Sequence, residues 1–235
     1  MIEIRLDGPG KNALGTGVME HTRERLRDAA GRPVLLTGAG DAFSAGLDLK
    51  EVVSLDAEGM ARYLQLLEDF VATLFAYPGP TVAAVNGHAI AGGCVLALCC
   101  DHRVIAGESR LRIGLNEVAL GVPFPPRTLA AVVHRLPPCS RDAVLLGAEL
   151  HGPDAALRLG LVDEIAADPV ARARERLALL ASRPAGAYAA TKLALRAALV
   201  EPSDAASRQL LDDIVPAWCA PAVRERLATA LRPRR

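Results

Sequence analysis

Ile2 to Leu6 alternates charged with apolar positions and then meets Asp7-Gly8-Pro9-Gly10, so the pattern predicts an opening strand closed by a turn. Apolar residues recur at helical spacing among charges from Gly17 to Ala30. Val34-Leu35-Leu36-Thr37 is a short apolar run ended by Gly38-Ala39-Gly40, the signature of a buried strand. Asp56 to Tyr77 predicts a long amphipathic helix, stopped by Pro78-Gly79-Pro80. Thr81 to Val85 is again of β type and runs into Asn86-Gly87. Ile90-Ala91-Gly92-Gly93 then opens an apolar helix ending near Asp101, and Arg103 to Ala106 is a further short strand. Strand and helix alternate, which predicts an α/β fold. No glycine-rich turn links the first strand to the first helix with dinucleotide-binding spacing, so that motif is excluded.

From Thr128 onward helical patterns prevail, interrupted by Leu161-Val162-Asp163-Glu164-Ile165, which reads as a last strand. Beyond Val170 the chain is helix and turn, with breaks at Pro184, Pro202 and Pro221. The organisation expected is an α/β body over 1–180 and a helical region over 181–235.

Composition narrows the function classes. The chain has 235 residues, enough to bury a substantial core, and only 3% aromatics. Lys+Arg and Asp+Glu both number 27, so no global field attracts nucleic acid. The short basic end, Arg232 to Arg235, reads as a solvated tail. Cys94, Cys99, Cys100, Cys139 and Cys219 show neither disulfide nor zinc-ligand spacing, which predicts free thiols in a reducing cytoplasm and no metal. The start, Met-Ile-Glu-Ile-Arg-Leu, does not read as a signal peptide. The longest apolar run, Ala89 to Cys100, is too short and glycine-rich for a membrane span.

Two glycine-containing segments hold candidate chemistry. Phe43-Ser44-Ala45-Gly46-Leu47-Asp48-Leu49 follows a strand, and Asn86-Gly87 through Gly92-Gly93-Cys94 follows another and opens a helix. Small residues let backbone approach a ligand, and a helix N-terminus presents unpaired N–H groups at the positive end of its dipole. Two such turns facing each other place two donors on one oxygen, an arrangement that stabilises an enolate or tetrahedral oxyanion. Either segment alone is as well explained by turn geometry.

Together the two segments resemble the enoyl-CoA hydratase/isomerase (crotonase) family. The matching stretches are Gly10 to Leu14, Val34 to Lys50, Thr81 to Ala106, Gly114 to Gly121 and Ala155 to Ile165, in the family's order. The resemblance implies a ββα spiral core with a C-terminal helical region, and an acyl-CoA thioester substrate. It implies no cofactor, since coenzyme A belongs to the substrate. It assigns the oxyanion hole to the N–H groups of Leu47 and Gly92, and contacts with the CoA adenine to backbone around Ser44 and Ala45. Relatives assemble as trimers or dimers of trimers, so the resemblance implies a homotrimer or a dimer of trimers.

Hydratases of this family place one carboxylate just after the Gly-Gly-Cys turn and a second further along. Those positions are Val95 and Glu117 here. One carboxylate is present and one is lost. Hydration benefits from a group that orients water and a group that donates a proton. A single carboxylate suffices to carry a proton from the α carbon of a 3-enoyl-CoA to its γ carbon. An apolar Val95 helps to keep water out. The motifs look like those of 3,2-trans-enoyl-CoA isomerases, so isomerisation with Glu117 as proton carrier is expected. Hydration, another reaction of the family, and acyl-CoA binding without catalysis remain as alternatives.

Other residues have plainer readings. Phe124, in Val122-Pro123-Phe124-Pro125-Pro126, either walls the acyl pocket or belongs to a rigid connector. His88 reads as a backbone-bonded turn histidine, Cys94 as packing, and Asp48 either flanks the CoA entrance or caps the next helix. Leu177, Leu179, Leu180, Leu193, Leu195 and Leu199 fit either a subunit interface or packing on the chain's own body.

Overall fold

The computed structural model describes residues 1–231, so Arg232 to Arg235 lie outside it. Two all-parallel sheets organise the chain. The larger has five strands in the order β1 (Ile2–Leu6), β2 (Val34–Gly38), β4 (Thr81–Val85), β6 (His102–Ala106) and β8 (Glu164–Ala166). The smaller has three, β3 (Ala42–Ser44), β5 (His88–Ile90) and β7 (Ile113–Gly114). Parallel pairing needs crossovers, and helices supply them. Each turn of the chain adds a strand to the large sheet, one to the small sheet, and then a helix. This is the ββα spiral of the crotonase fold.

Both faces of the large sheet are covered, which is why β2 and β4 are buried at every position and are mostly apolar. Val34, Leu36, Ala83, Val85 and Ile105 join the main core on one face. Their alternates Leu35, Val82, Ala84 and Val104 form a second cluster with Ala173 and Leu177 of the Pro169–Ala181 helix. Register is fixed by this two-sided burial, with Leu36 opposite Ala83 and Ala84 opposite Val104.

The Ala57–Phe75 helix begins at Asp56, whose carboxylate accepts from Gly59 N–H at 2.8 Å. Met60, Leu64, Leu67, Val71, Leu74 and Phe75 form its buried stripe at helical spacing. The three small-sheet strands were not distinguishable in the pattern as strands, being only two or three residues long. The last strand also lies later than expected, at Glu164–Ala166, because Leu161 and Val162 are core residues of the turn that precedes it.

The helical region shares the core of the body. Val200, Leu210, Ile214, Val215, Trp218, Val223 and Leu227 belong to the same apolar cluster as the first strands. A buried ionic cluster ties the Ala185–Val200 helix down. Asp101 Oδ2 accepts from Lys192 Nζ at 2.9 Å, Tyr188 Oη at 2.7 Å and Thr81 N–H at 2.8 Å, while Oδ1 pairs with Arg196 at 2.8 Å. The boundary near residue 180 therefore separates two kinds of secondary structure, not two cores. Leu177 is fully buried, whereas Leu179, Leu193, Leu195 and Leu199 remain exposed. No described helix is long and apolar enough to cross a membrane.

Candidate active site

The two glycine turns meet. A Cβ on Gly46 would lie 2.7 Å from Ile90 O and 3.2 Å from Gly92 N, and Gly46 has φ +88°, so only glycine fits there. Gly93 is required for the same approach, since a Cβ there would lie 2.4 Å from Ser44 O. The first turn is braced by the N-terminal loop. Ala45 N–H donates to Lys11 O at 3.0 Å and Leu14 N–H to Gly46 O at 2.8 Å. Asn12 Nδ2 holds the carbonyls of Ala39 and Ala42 at 2.9 and 2.8 Å. These bonds give the Gly10 to Leu14 stretch its structural work.

The second turn is strained. Ala91 adopts φ 49° and ψ −119°, a conformation L-residues rarely take and one that costs on the order of 1–3 kcal/mol. Its N–H is anchored on Gly114 O at 2.8 Å, and the Gly92–Cys99 helix starts directly after it. Among the described residues, neither Leu47 N–H nor Gly92 N–H donates a hydrogen bond. Two free donors thus stand on touching turns, one of them the first residue of a helix.

The Ala91 anchor also brings in the acid. Beyond Gly114, at the end of β7, the chain passes through Leu115 and Asn116 to Glu117, the first residue of a single helical turn closed by Gly121 in the left-handed conformation. Glu117 is 8% exposed, and no partner meets its Oε2. Burial pushes its carboxyl up to about 8, opposed only by its own backbone N–H.

Leu47, Gly92 and Glu117 line one cavity of about 130 Å³, together with Ala45, Val95 and Phe124. All but one of the residues expected at the site therefore meet there. Ser44 does not. It is fully buried, and its Oγ donates to Asn12 O at 2.8 Å and accepts from Gly46 N–H at 3.2 Å, shaping the loop from within. Asp48 caps the Leu49–Ser54 helix, accepting from Lys50 and Glu51 N–H. His88 Nδ1 accepts from Arg112 N–H at 3.0 Å. Cys94 is fully buried and its thiol is pushed up by burial and by Glu117, so it is not a nucleophile.

Several wall residues escaped the sequence reading. Trp218, Leu227 and Ala230 close the cavity from the C-terminal helices. Trp218 Nε1 donates to Pro123 O at 3.0 Å, and Arg224 Nη1 donates to Val53 O at 3.3 Å. Asn116, Leu67 and Thr128 also line the cavity. The only available signal was a lone tryptophan in a chain poor in aromatics.

The model of the enoyl-CoA hydratase/isomerase family matches residues 1–216. The chain belongs to that family. Among proteins of this family, the mitochondrial enoyl-CoA delta isomerase 1 of Mus musculus is 33% identical over 178 residues, covering 74% of this chain. That match spans 62% of the mouse protein's own length, and the match to its Rattus norvegicus counterpart spans 52%. Human mitochondrial delta3-delta2-enoyl-CoA isomerase superposes with a TM-score of 0.88 at 26% identity, covering 97% of this chain and 92% of that one. An enoyl-CoA hydratase of Mycobacterium ulcerans superposes with a TM-score of 0.79 at 31% identity, covering 93% and 95%. Family members that resemble this chain thus carry both isomerase and hydratase names, and the difference has to be sought in the cavity.

Proposed function

We propose that the chain moves a carbon–carbon double bond in an acyl-CoA thioester, converting a 3-enoyl-CoA to the 2-trans-enoyl-CoA, with Glu117 as the sole proton carrier. One observation carries this reading: among the described residues lining the cavity, Glu117 alone has a side chain that titrates. Val95 stands where a second carboxylate would assist water addition, and it is 2% exposed within an apolar wall.

The chemistry follows from the parts. The thioester oxygen accepts from Leu47 and Gly92 N–H, which favours loss of an α proton as negative charge moves onto that oxygen. Each such donor contributes on the order of 3–4 kcal/mol to a developing oxyanion. Ionised Glu117 takes the proton from C2, the double bond shifts from C3–C4 to C2–C3, and Glu117 returns the proton to C4. Mass and charge balance without water. A carboxyl poised near neutrality serves both halves of this exchange better than one of ordinary acidity.

The test offers 3-hexenoyl-CoA and 2-hexenoyl-CoA to the purified protein and follows conjugated-thioester absorbance and mass. Appearance of the 2-enoyl product with no gain in mass, lost in Glu117→Gln, is the expected result. Water addition to the 2-enoyl thioester without isomerisation of the 3-enoyl one overturns the reading in favour of hydration. Binding without any turnover overturns it in favour of a carrier.

A further inference from the structure

Thr128 presents a hydroxyl that the fold does not use. Thr22 and Thr73 satisfy their Oγ1 in the ordinary helical way, each donating to the carbonyl four residues back, Val18 O and Asp69 O, at 2.7 Å. Thr128 cannot. It is the third residue of the Pro126–Arg135 helix, so four residues back lies Phe124, outside the helix and ahead of Pro125 at ψ 145°. Its position is nonetheless fixed, because Glu68 Oε1 accepts from Arg127 N–H at 2.6 Å and from Thr128 N–H at 3.4 Å. Thr128 is 2% exposed, its Oγ1 has no partner, and the residue lines the cavity beside Leu67, Phe124 and Pro125. Asn116 Oδ1, on the same cavity, is likewise buried and unpartnered.

A buried hydroxyl without a partner is unfavourable, and valine would fill the same space without that penalty. A polar ligand atom in the cavity would satisfy the hydroxyl. We propose that the cavity selects acyl chains bearing an oxygen beyond the reacting carbons, and that Thr128 Oγ1 is the group that reads it. A threonine hydroxyl donates to a ketone and either donates to or accepts from an alcohol, so both oxo- and hydroxyacyl thioesters fit. The inference rests on reading the cavity as an acyl-CoA site, but not on the reaction performed there.

Calorimetric titration separates the two. The probes are hexanoyl-CoA, 5-oxohexanoyl-CoA and 6-hydroxyhexanoyl-CoA, offered to the wild-type protein, Thr128→Val and Thr128→Ser. The wild type is expected to bind at least one oxygenated thioester about tenfold more tightly than hexanoyl-CoA, the scale of one desolvated hydrogen bond. Thr128→Val should lose that preference while holding hexanoyl-CoA at least as tightly, and Thr128→Ser should keep it. A wild type that binds neither oxygenated thioester better than hexanoyl-CoA overturns the proposal, even if Thr128→Val fails to fold. So does an unchanged ratio in Thr128→Val. Retained preference with no conversion of 3-hexenoyl-CoA would remove the isomerase reading and leave this one standing. Failure of all three probes to bind removes both.

Discussion

Asp101 and Glu117 are two carboxylates at nearly the same depth, and their surroundings make them opposites. Burial alone would raise both. At Asp101 that effect is outweighed by Lys192 and Arg196, with Tyr188 and the Thr81 N–H completing the shell, so its carboxyl is held below the usual range. At Glu117 only its own backbone N–H opposes burial, and its carboxyl rises to about 8. An acid with both oxygens partnered serves the fold. An acid left unmet in an apolar cavity is available for a proton that is not the protein's own. The same distinction separates Thr22 and Thr73 from Thr128.

The largest expected effect is on chemistry. Glu117→Gln keeps the shape of the side chain and removes its basicity. Turnover of 3-hexenoyl-CoA should fall by about 10³-fold, the usual scale for a single general base, as read by absorbance of the conjugated product. Circular dichroism should show the fold intact. Residual activity within tenfold of wild type would mean that another group carries the proton.

Asp101→Asn reverses the pattern. It leaves Lys192 and Arg196 as uncompensated buried charges, with side chains only 5% and 8% exposed. Breaking a buried pair from one side costs about 3–5 kcal/mol, to be measured by urea unfolding. Where the protein isomerises, the folded fraction should do so at an unchanged rate per molecule, because no member of the cluster lines the Glu117 cavity. Equal loss of rate and stability would erase the contrast between the two acids.

How much of this was legible depends on the kind of constraint. Gly46 and Gly92-Gly93 could be read because backbone contact admits no side chain, and sequence records that directly. Glu117 could be placed only through family resemblance, since burial of a glutamate depends on what distant segments lay over it. The wall of Trp218, Leu227 and Ala230 was invisible, because apolar spacing shows that a helix has a buried face but not what lies beneath it. The cluster around Asp101 did leave a trace. Lys192 and Arg196 stand four apart on a helix otherwise built of apolar and small residues. Strands β3, β5 and β7 were too short for any periodicity to register.

The kinetic pH profile sharpens the comparison by a smaller factor. A base must be ionised to take the first proton, so kcat/KM for the 3-enoyl thioester should climb about tenfold per pH unit below pH 8 and level off above it. Measured over pH 5.5 to 9.5, a plateau already reached at the low end would place Glu117 in solvent and dissolve the contrast with Asp101.

Stability should carry the two signatures with opposite signs. Between the ordinary carboxylate value of 4.5 and about 8, folded Glu117 keeps its proton while the unfolded chain has lost its own. The native state then binds more protons, and stability falls as pH rises through that window. Glu117→Gln removes the slope, so its melting temperature should match wild type near pH 4.5 and exceed it by several degrees near pH 8. Asp101 works the other way. Its folded carboxyl lies below the ordinary aspartate value of 3.8, so its contribution is complete above that value and is lost as pH falls through the folded one. Melting curves of Glu117→Gln, Asp101→Asn and wild type from about pH 2.5 to 8.5 resolve the two. The gap for Glu117→Gln opens with rising pH, and the deficit of Asp101→Asn narrows only at the acid end. A Glu117→Gln gap that stays constant with pH would show that the glutamate's burial does not set its acidity, and with it would go the physical reason for treating that carboxyl as a proton carrier.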